Sequence, residues 1–137
     1  MELHGINILG VALAAVASFA FGAAYYTILS KLWLEASGKT EDEVKQERTA
    51  TPFITSFIGL VVMAIVLSSQ FMPEQMGYES ASTGYAIHIA LMLWVGFIVT
   101  SMATNNAFQG AKPKLTLIDA GHWLGVVVIQ VLVLGAF

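Results

Sequence analysis

The chain has 137 residues, 57% of them hydrophobic and only 11% charged, with a formal net charge of −3. Soluble domains carry about 25% charged residues, so this composition argues against one, and the absence of a basic surplus leaves no electrostatic footprint for nucleic acid. There is no cysteine, which excludes disulfides, thiolate catalysis and Cys-ligated zinc or iron–sulfur centres.

A membrane-crossing helix needs about 20 mainly apolar residues. Four such stretches, at about 6–33, 52–72, 85–108 and 115–137, fill the chain and leave no room for a separate soluble domain. The expected fold is all-α, a four-helix transmembrane bundle of up-down topology in one integral membrane domain, because unsatisfied backbone groups are intolerable in lipid and four spans cannot close a barrel.

The first stretch is read as a retained helix rather than a cleaved signal. Met1 to His4 contains Glu2 and no Lys or Arg, and the apolar run from Ile6 exceeds a signal core, although Ala15-Val16-Ala17 has the look of a cleavage site. It carries an i+4 ridge of mostly small residues, Gly10, Ala14, Ser18 and Gly22, continued by Tyr26 and Ser30. Small residues let helix backbones approach where lipid removes the usual hydrophobic drive.

Residues 34–51 form the one loop rich in charge, and Thr40 followed by Glu43 is a capping-box spacing that predicts a short surface helix. The second helix opens at Pro52, a favoured first helical residue. The second gap, Pro73 to Gly84, holds Glu74 and Glu79 and no positive charge; the third holds Lys112-Pro113-Lys114.

All six Lys and Arg therefore fall in the first and third gaps or at their edges. Cytoplasmic loops carry the excess of Lys and Arg, so these two gaps are expected inside and both termini outside.

The third helix has Gly96, Thr100 and Thr104 in one row and His88 near its outer end. On the fourth, Asp119, His122, Val126 and Gln130 share a stripe at 100° per residue, while Gly121 and Gly125 point roughly the opposite way. The polar stripe is expected to face the bundle and the glycine face to be free for a neighbouring subunit.

Ionisable groups inside a span are functional candidates by default. Here Tyr26, Lys31, Thr55, Asn105, Asn106, Asp119 and His122 share a depth near the inner end, with Gln130 deeper on the polar stripe, and together they suggest a polar pocket open to that side. Each also has a structural reading. Asp119 has a capping-box spacing from Thr116 and suits a first helical turn, His122 lies within hydrogen-bonding reach of Asp119 at i+3, the asparagines suit a helix end, and Lys31 can snorkel. His88 and His122 differ too much in depth to clamp one metal or haem, so no metal and no cofactor is implied.

The chain resembles an uncharacterised membrane family known as domain of unknown function 1761. The resemblance rests on Gly22-Ala-Ala-Tyr25-Tyr26, then Lys31-Leu-Trp33 and Gly38-Lys-Thr40, then Asn105-Asn106-Ala-Phe108, and finally Ile118-Asp119-Ala-Gly121-His122. Family members often have Trp-Tyr where this chain has Tyr25-Tyr26. The resemblance implies four helices and a bacterial inner (cytoplasmic) membrane, and carries no activity.

Two functional expectations follow. The first is a non-enzymatic protein that works by packing in the lipid bilayer, as a homo-oligomer or a small subunit of a larger membrane complex. The alternative is a transporter or channel for a small solute, proton or cation, with Asp119, His122 and Gln130 along its path. A membrane enzyme using Asp119 and His122 as acid and base lacks a nucleophile or metal set.

Overall fold

In the computed structural model, residues 2–3, 5–70 and 82–137 are described. The expected end of the second span at Met72, most of the gap from Pro73 to Gly84 with its Glu74 and Glu79, and the extreme N-terminus at Met1 and His4 lie outside the described residues.

A two-residue antiparallel pair, β1 (Glu2–Leu3) and β2 (Ile6–Asn7), precedes the helices. It turns at Gly5, whose φ of 81° suits a residue without Cβ. Asn7 then caps α1 (Ile8–Ile28), its side chain accepting from Gly10 N–H at 3.0 Å.

The expected first helix does not run unbroken to Trp33. Leu29 leaves helical geometry (φ −93°, ψ 12°), and the chain resumes as α2 (Ser30–Ser37). Gly38, at φ 74°, ends α2 with its N–H on the Leu34 carbonyl. Thr40 opens α3 (Glu41–Gln46) through the capping box expected from the sequence: its hydroxyl accepts from Glu43 N–H, and Glu43 accepts from Thr40 N–H at 2.8 Å. Those bonds, the backbone one foremost, hold the Glu43 carboxyl below the usual carboxylate value. Lys39 is ion-paired with Glu47 across this short helix.

The remaining elements are α4 (Thr51–Gln70), α5 (Thr83–Phe108) and α6 (Pro113–Leu134). Within α5, Trp94–Val99 is wound as a π-helix between two α-helical parts. Pro113 is the first residue of α6, where its missing N–H costs nothing.

Four helices, Ile8–Ile28, Thr51–Ser69, Thr83–Phe108 and Pro113–Leu134, are long and apolar enough to cross a membrane. Large apolar side chains point out of the fold all around it, among them Ile28 at 80%, Leu117 at 73% and Phe97 at 69% exposure. Apolar surface on that scale belongs against lipid. The chain has the build of a multi-pass membrane protein.

α6 lies at the centre, packed on α1, α4 and α5, and α1 also packs along α4. Lys112 Nζ donates to the Glu35 carbonyl and Lys114 pairs with the Glu35 carboxylate at 3.0 Å, which brings the first and third loops to one end. Gly10 faces the Phe137 ring, which brings the two chain ends together at the other. These are called the basic end and the terminal end below.

Core residues cluster toward the terminal end. Gly10, Val11, Ala14, Ala15 and Ser18 of α1, Leu60, Ala64 and Leu67 of α4, Ala86 and Ala90 of α5, and Val126, Val127, Gln130 and Val131 of α6 supply the buried positions of the described spans, with Ala120 the exception. Alanines and Ser18 let α1 and α4 close on α6 there.

The expected free glycine face of α6 is corrected. A Cβ on Gly121 lies 2.7 Å from Tyr25 Oη, and one on Gly125 lies within 3.2 Å of Phe21 Cε2 and closer still to Cζ and Cε1. Both glycines receive aromatic side chains of α1 within the same chain. The polar stripe also meets α1, so α1 straddles the two faces, and the assumption that each face serves a different neighbour fails.

Candidate functional site

Toward the basic end the helices separate. A cavity of about 890 Å³ lies between α1, α4 and α6, with α2 and α3 across its mouth. Its size is within the range of small-molecule sites. Its walls are mainly apolar, and α5 contributes nothing to them.

The polar wall is built by α1 and α6. The Tyr26 hydroxyl donates to Asp119 Oδ1 at 2.7 Å. One turn along, the missing side chain of Gly22 makes room for His122: a Cβ there lies 2.8 Å from Nε2. The imidazole is boxed by Tyr26, Trp123, Tyr25 and Phe21, with ring centroids 4.9, 5.1, 5.8 and 6.1 Å away. Next to this wall, the Tyr25 hydroxyl donates to the Ile118 carbonyl at 2.9 Å, so two consecutive tyrosines tie α1 to consecutive positions of α6.

The sequence expectations for Asp119 need two corrections. Because α6 starts at Pro113, Asp119 lies six residues in, about 9 Å along the axis, and the first turn holds no acidic residue. It is therefore not a cap, and Thr116 instead accepts from Asn106 Nδ2 at 2.9 Å. Nor do Asp119 and His122 hydrogen-bond to each other: Asp119 takes the Tyr26 hydroxyl, and His122 Nδ1 is buried with no partner among the described residues.

The cavity ends at a polar plug. Gln130 and Ser18 are both 0% exposed, and Gln130 Nε2 donates to Ser18 Oγ at 3.2 Å and to the Leu60 carbonyl at 3.0 Å. The Ser18 hydroxyl donates in turn to the Ala14 carbonyl at 2.6 Å. One amide thus joins α1, α4 and α6 in the closed half of the bundle, and its Oε1 has no partner among the described residues.

Of the expected pocket residues, the structure brings Tyr26, Asp119 and His122 together in the cavity wall, with Gln130 beneath them. It does not bring the others there. Lys31, Thr55 and Asn105 are exposed, and Asn106 is spent on Thr116. These share the depth of the site but point elsewhere around their own helices. Gly10, Ala14, Ser18 and Gly22 all turn toward the bundle, Gly10 against Phe137 and Gly22 against His122.

The sequence reading missed the aromatic walls, which come from Phe19, Trp33, Phe53 and Trp123, and the charged mouth, where Glu41 and Lys45 of α3 and Arg48 just after it face the cavity. The small-residue ridge through Ser18 was the available signal for the closed half; nothing in the α4 sequence says which side of it faces inward. Among the described residues no group of three or more His, Cys, Asp or Glu could hold a metal ion.

Comparison with curated proteins finds no match, and neither does comparison with solved structures. A family model described as Protein of unknown function (DUF1761) matches residues 9–135, which takes in the four long helices but for Ile8, and the residues around the cavity and its plug. The chain belongs to the DUF1761 family.

Proposed function

We propose that this protein admits a small solute through the basic end into the chamber between α1, α4 and α6, as the binding step of a transporter or channel-like activity with no bond-making chemistry. The observation that carries this reading is the chamber itself, with Asp119, Tyr26 and His122 in its wall and a sealed plug at Gln130 below. An ionisable residue retained inside a span is costly unless it has a use. The buried plug favours a gated route over a permanently open pore. By the positive-inside rule the basic end faces the cytoplasm and the chain ends face out; a bacterial inner membrane is the setting that the family resemblance suggests.

The chain has no cysteine of its own, so single-cysteine accessibility tests the proposal directly. Ser56→Cys, in the chamber wall, should react with a membrane-impermeant maleimide in inverted vesicles and not in right-side-out ones; Ala14→Cys, fully buried, should react in neither. Liposome flux should fall on Asp119→Asn. An unreactive Ser56→Cys together with flux indifferent to Asp119 would sink the reading.

Assembly remains a second reading, and it now rests on α5 instead of α6. Gly96 opens onto empty space in the same row as exposed Thr100 and Thr104. Native mass spectrometry in nanodiscs checks it: an oligomer that Gly96→Leu breaks supports a homo-oligomer or an accessory subunit role, and a monomer unaffected by that change removes it.

A further inference from the structure

We infer that the chamber selects organic cations, a quaternary ammonium or phosphonium group carried on an apolar body. This inference rests on the chamber reading above and assigns the class of solute.

The first observation is charge. Asp119 is the acidic side chain that α6 presents to the chamber, and α1 and α4 place no ionisable acid or base there apart from Tyr26. Tyr26 satisfies Oδ1, and among the described residues no donor reaches Oδ2. No ammonium or guanidinium neutralises this carboxylate: the ion pairs of the described residues are Lys39–Glu47 and Lys114–Glu35, both at the surface. His122 lines the same wall, but among the described residues it makes no hydrogen bond to Asp119; a carboxylate kept in a span with no ammonium or guanidinium against it has an unmet electrostatic demand.

The second observation is the walls. Phe19 and Tyr26 of α1, Trp33 of α2, Phe53 of α4 and Trp123 of α6 turn aromatic surface into the space. Aromatic faces attract cations through the ring quadrupole, and the attraction grows as water is removed. A bulky onium ion cannot accept or donate hydrogen bonds, so it leaves no polar group unmet against such walls. A metal ion is poorly served here, because no cluster of three ligating side chains exists among the described residues and the lining is predominantly apolar.

The basic residues of the mouth do not reverse this preference. Lys45 of α3 and Arg48, just beyond its end, are exposed and share the rim with Glu41. Charges in solvent are screened over about 10 Å at moderate salt, whereas Asp119 is half-buried against the mainly apolar wall, where its field is less attenuated than at the rim.

The test uses two ions of nearly the same size and shape and opposite charge, tetraphenylphosphonium and tetraphenylborate, titrated calorimetrically into the full chain in nanodiscs against empty nanodiscs. Saturable binding of the phosphonium alone is expected, weakened at least about tenfold by Asp119→Asn, equivalent to about 1.4 kcal/mol, and kept by Asp119→Glu. Tyr26→Phe, which frees Oδ1, should retain it. Equal or tighter binding of the borate overturns the cation assignment and leaves the chamber reading intact, with Lys45 and Arg48 as the anion contacts. No saturable binding of either ion, with Ser56→Cys still labelled, has the same consequence. Loss of that labelling removes the chamber itself. If Asp119→Asn does not fold, the phosphonium–borate contrast on the unaltered chain and its persistence in Asp119→Glu decide the question.

Discussion

Gly125→Ala probes whether the glycine face of α6 serves this chain or a neighbour. The added methyl lies 3.2 Å from Phe21 Cε2 and closer to Cζ and Cε1, against a normal carbon–carbon contact of about 3.5–4.0 Å. The ring must therefore withdraw. It is hemmed by Tyr25 at 5.6 Å and stacked with His122 at 6.1 Å between centroids, so it cannot yield without disturbing the wall of the chamber. Overpacking of this kind costs about 1–3 kcal/mol, and the better helix propensity of Ala returns up to about 1 kcal/mol. A net loss of about 1–2 kcal/mol is expected, read from reversible unfolding in mixed micelles. The decisive measurement is a double-mutant cycle with Phe21→Ala, in which Gly125→Ala should become neutral or stabilising. Gly96→Ala, with nothing within 4 Å of the new methyl, should be near neutral throughout. A penalty for Gly125→Ala that persists without the Phe21 ring, or one that appears as a lost oligomer, would refute the packing argument.

Three further outcomes follow from the same geometry. Gly22→Ala places a methyl 2.8 Å from His122 Nε2 inside an aromatic box, so it should cost about 1–3 kcal/mol and change the emission of Trp123, which contacts that ring. Gln130→Leu fills the same space and loses two hydrogen bonds, each expected to contribute about 0.6–1.7 kcal/mol in a membrane; Gln130→Ala adds a cavity and should be the more destabilising of the two in the same unfolding assay. The Glu43 carboxyl is held below its ordinary value by Thr40, so its contribution to α3 is complete above the unfolded carboxylate pKa and is lost as pH falls through the lower, folded one. Amide exchange across α3 should accelerate in that acidic window in the natural chain and show no such step in Glu43→Gln.

The four spans were legible because hydrophobic length alone reports them, and the Thr40 cap because its spacing is local. The break at Leu29 was not legible: Ile28, Leu29 and Ser30 carry neither proline nor glycine. The π-helical stretch Trp94–Val99 likewise has no local sequence mark, although the Trp94 indole donating to the Ala120 carbonyl at 2.8 Å shows what that stretch positions. For the site, depth was legible and azimuth was not. Tyr26, Asp119 and His122 lie on helices with a polar or small-residue stripe, which says which side faces inward. α4 and α5 are apolar nearly all round, so Thr55 and Asn105 had the right depth and the wrong direction. Asp119 was read as a cap because its spacing from Thr116 suggests a capping box there, whereas the helix already starts at Pro113.

The chamber is a consequence of how side-chain size is distributed along α1 and its partners. From Gly10 to Ser18 the residues that α1 buries are mostly glycine, alanine and serine, met by Ala64 of α4, and the backbones close. From Phe19 onward Phe19 and Tyr26 join Gly22 and Ala23 at the inward positions, met by Phe53 of α4 and Trp123 of α6, and the helices leave the chamber between them. Phe19 and Phe57, packed edge-on at 5.6 Å, mark the change. Gln130 sits where the closed half begins. Its two donor bonds hold three helices together, yet its Oε1 is left unmet in a dry site, so part of what the amide gains is offset by an unsatisfied buried atom. Leucine at that position removes the orphan and seals the half with apolar contact. If solute passes beyond the chamber, the plug must part, and a leucine plug should retain binding at Asp119 while slowing flux. A Gln130→Leu protein that binds and transports like the natural chain would show that the route does not run between α1, α4 and α6.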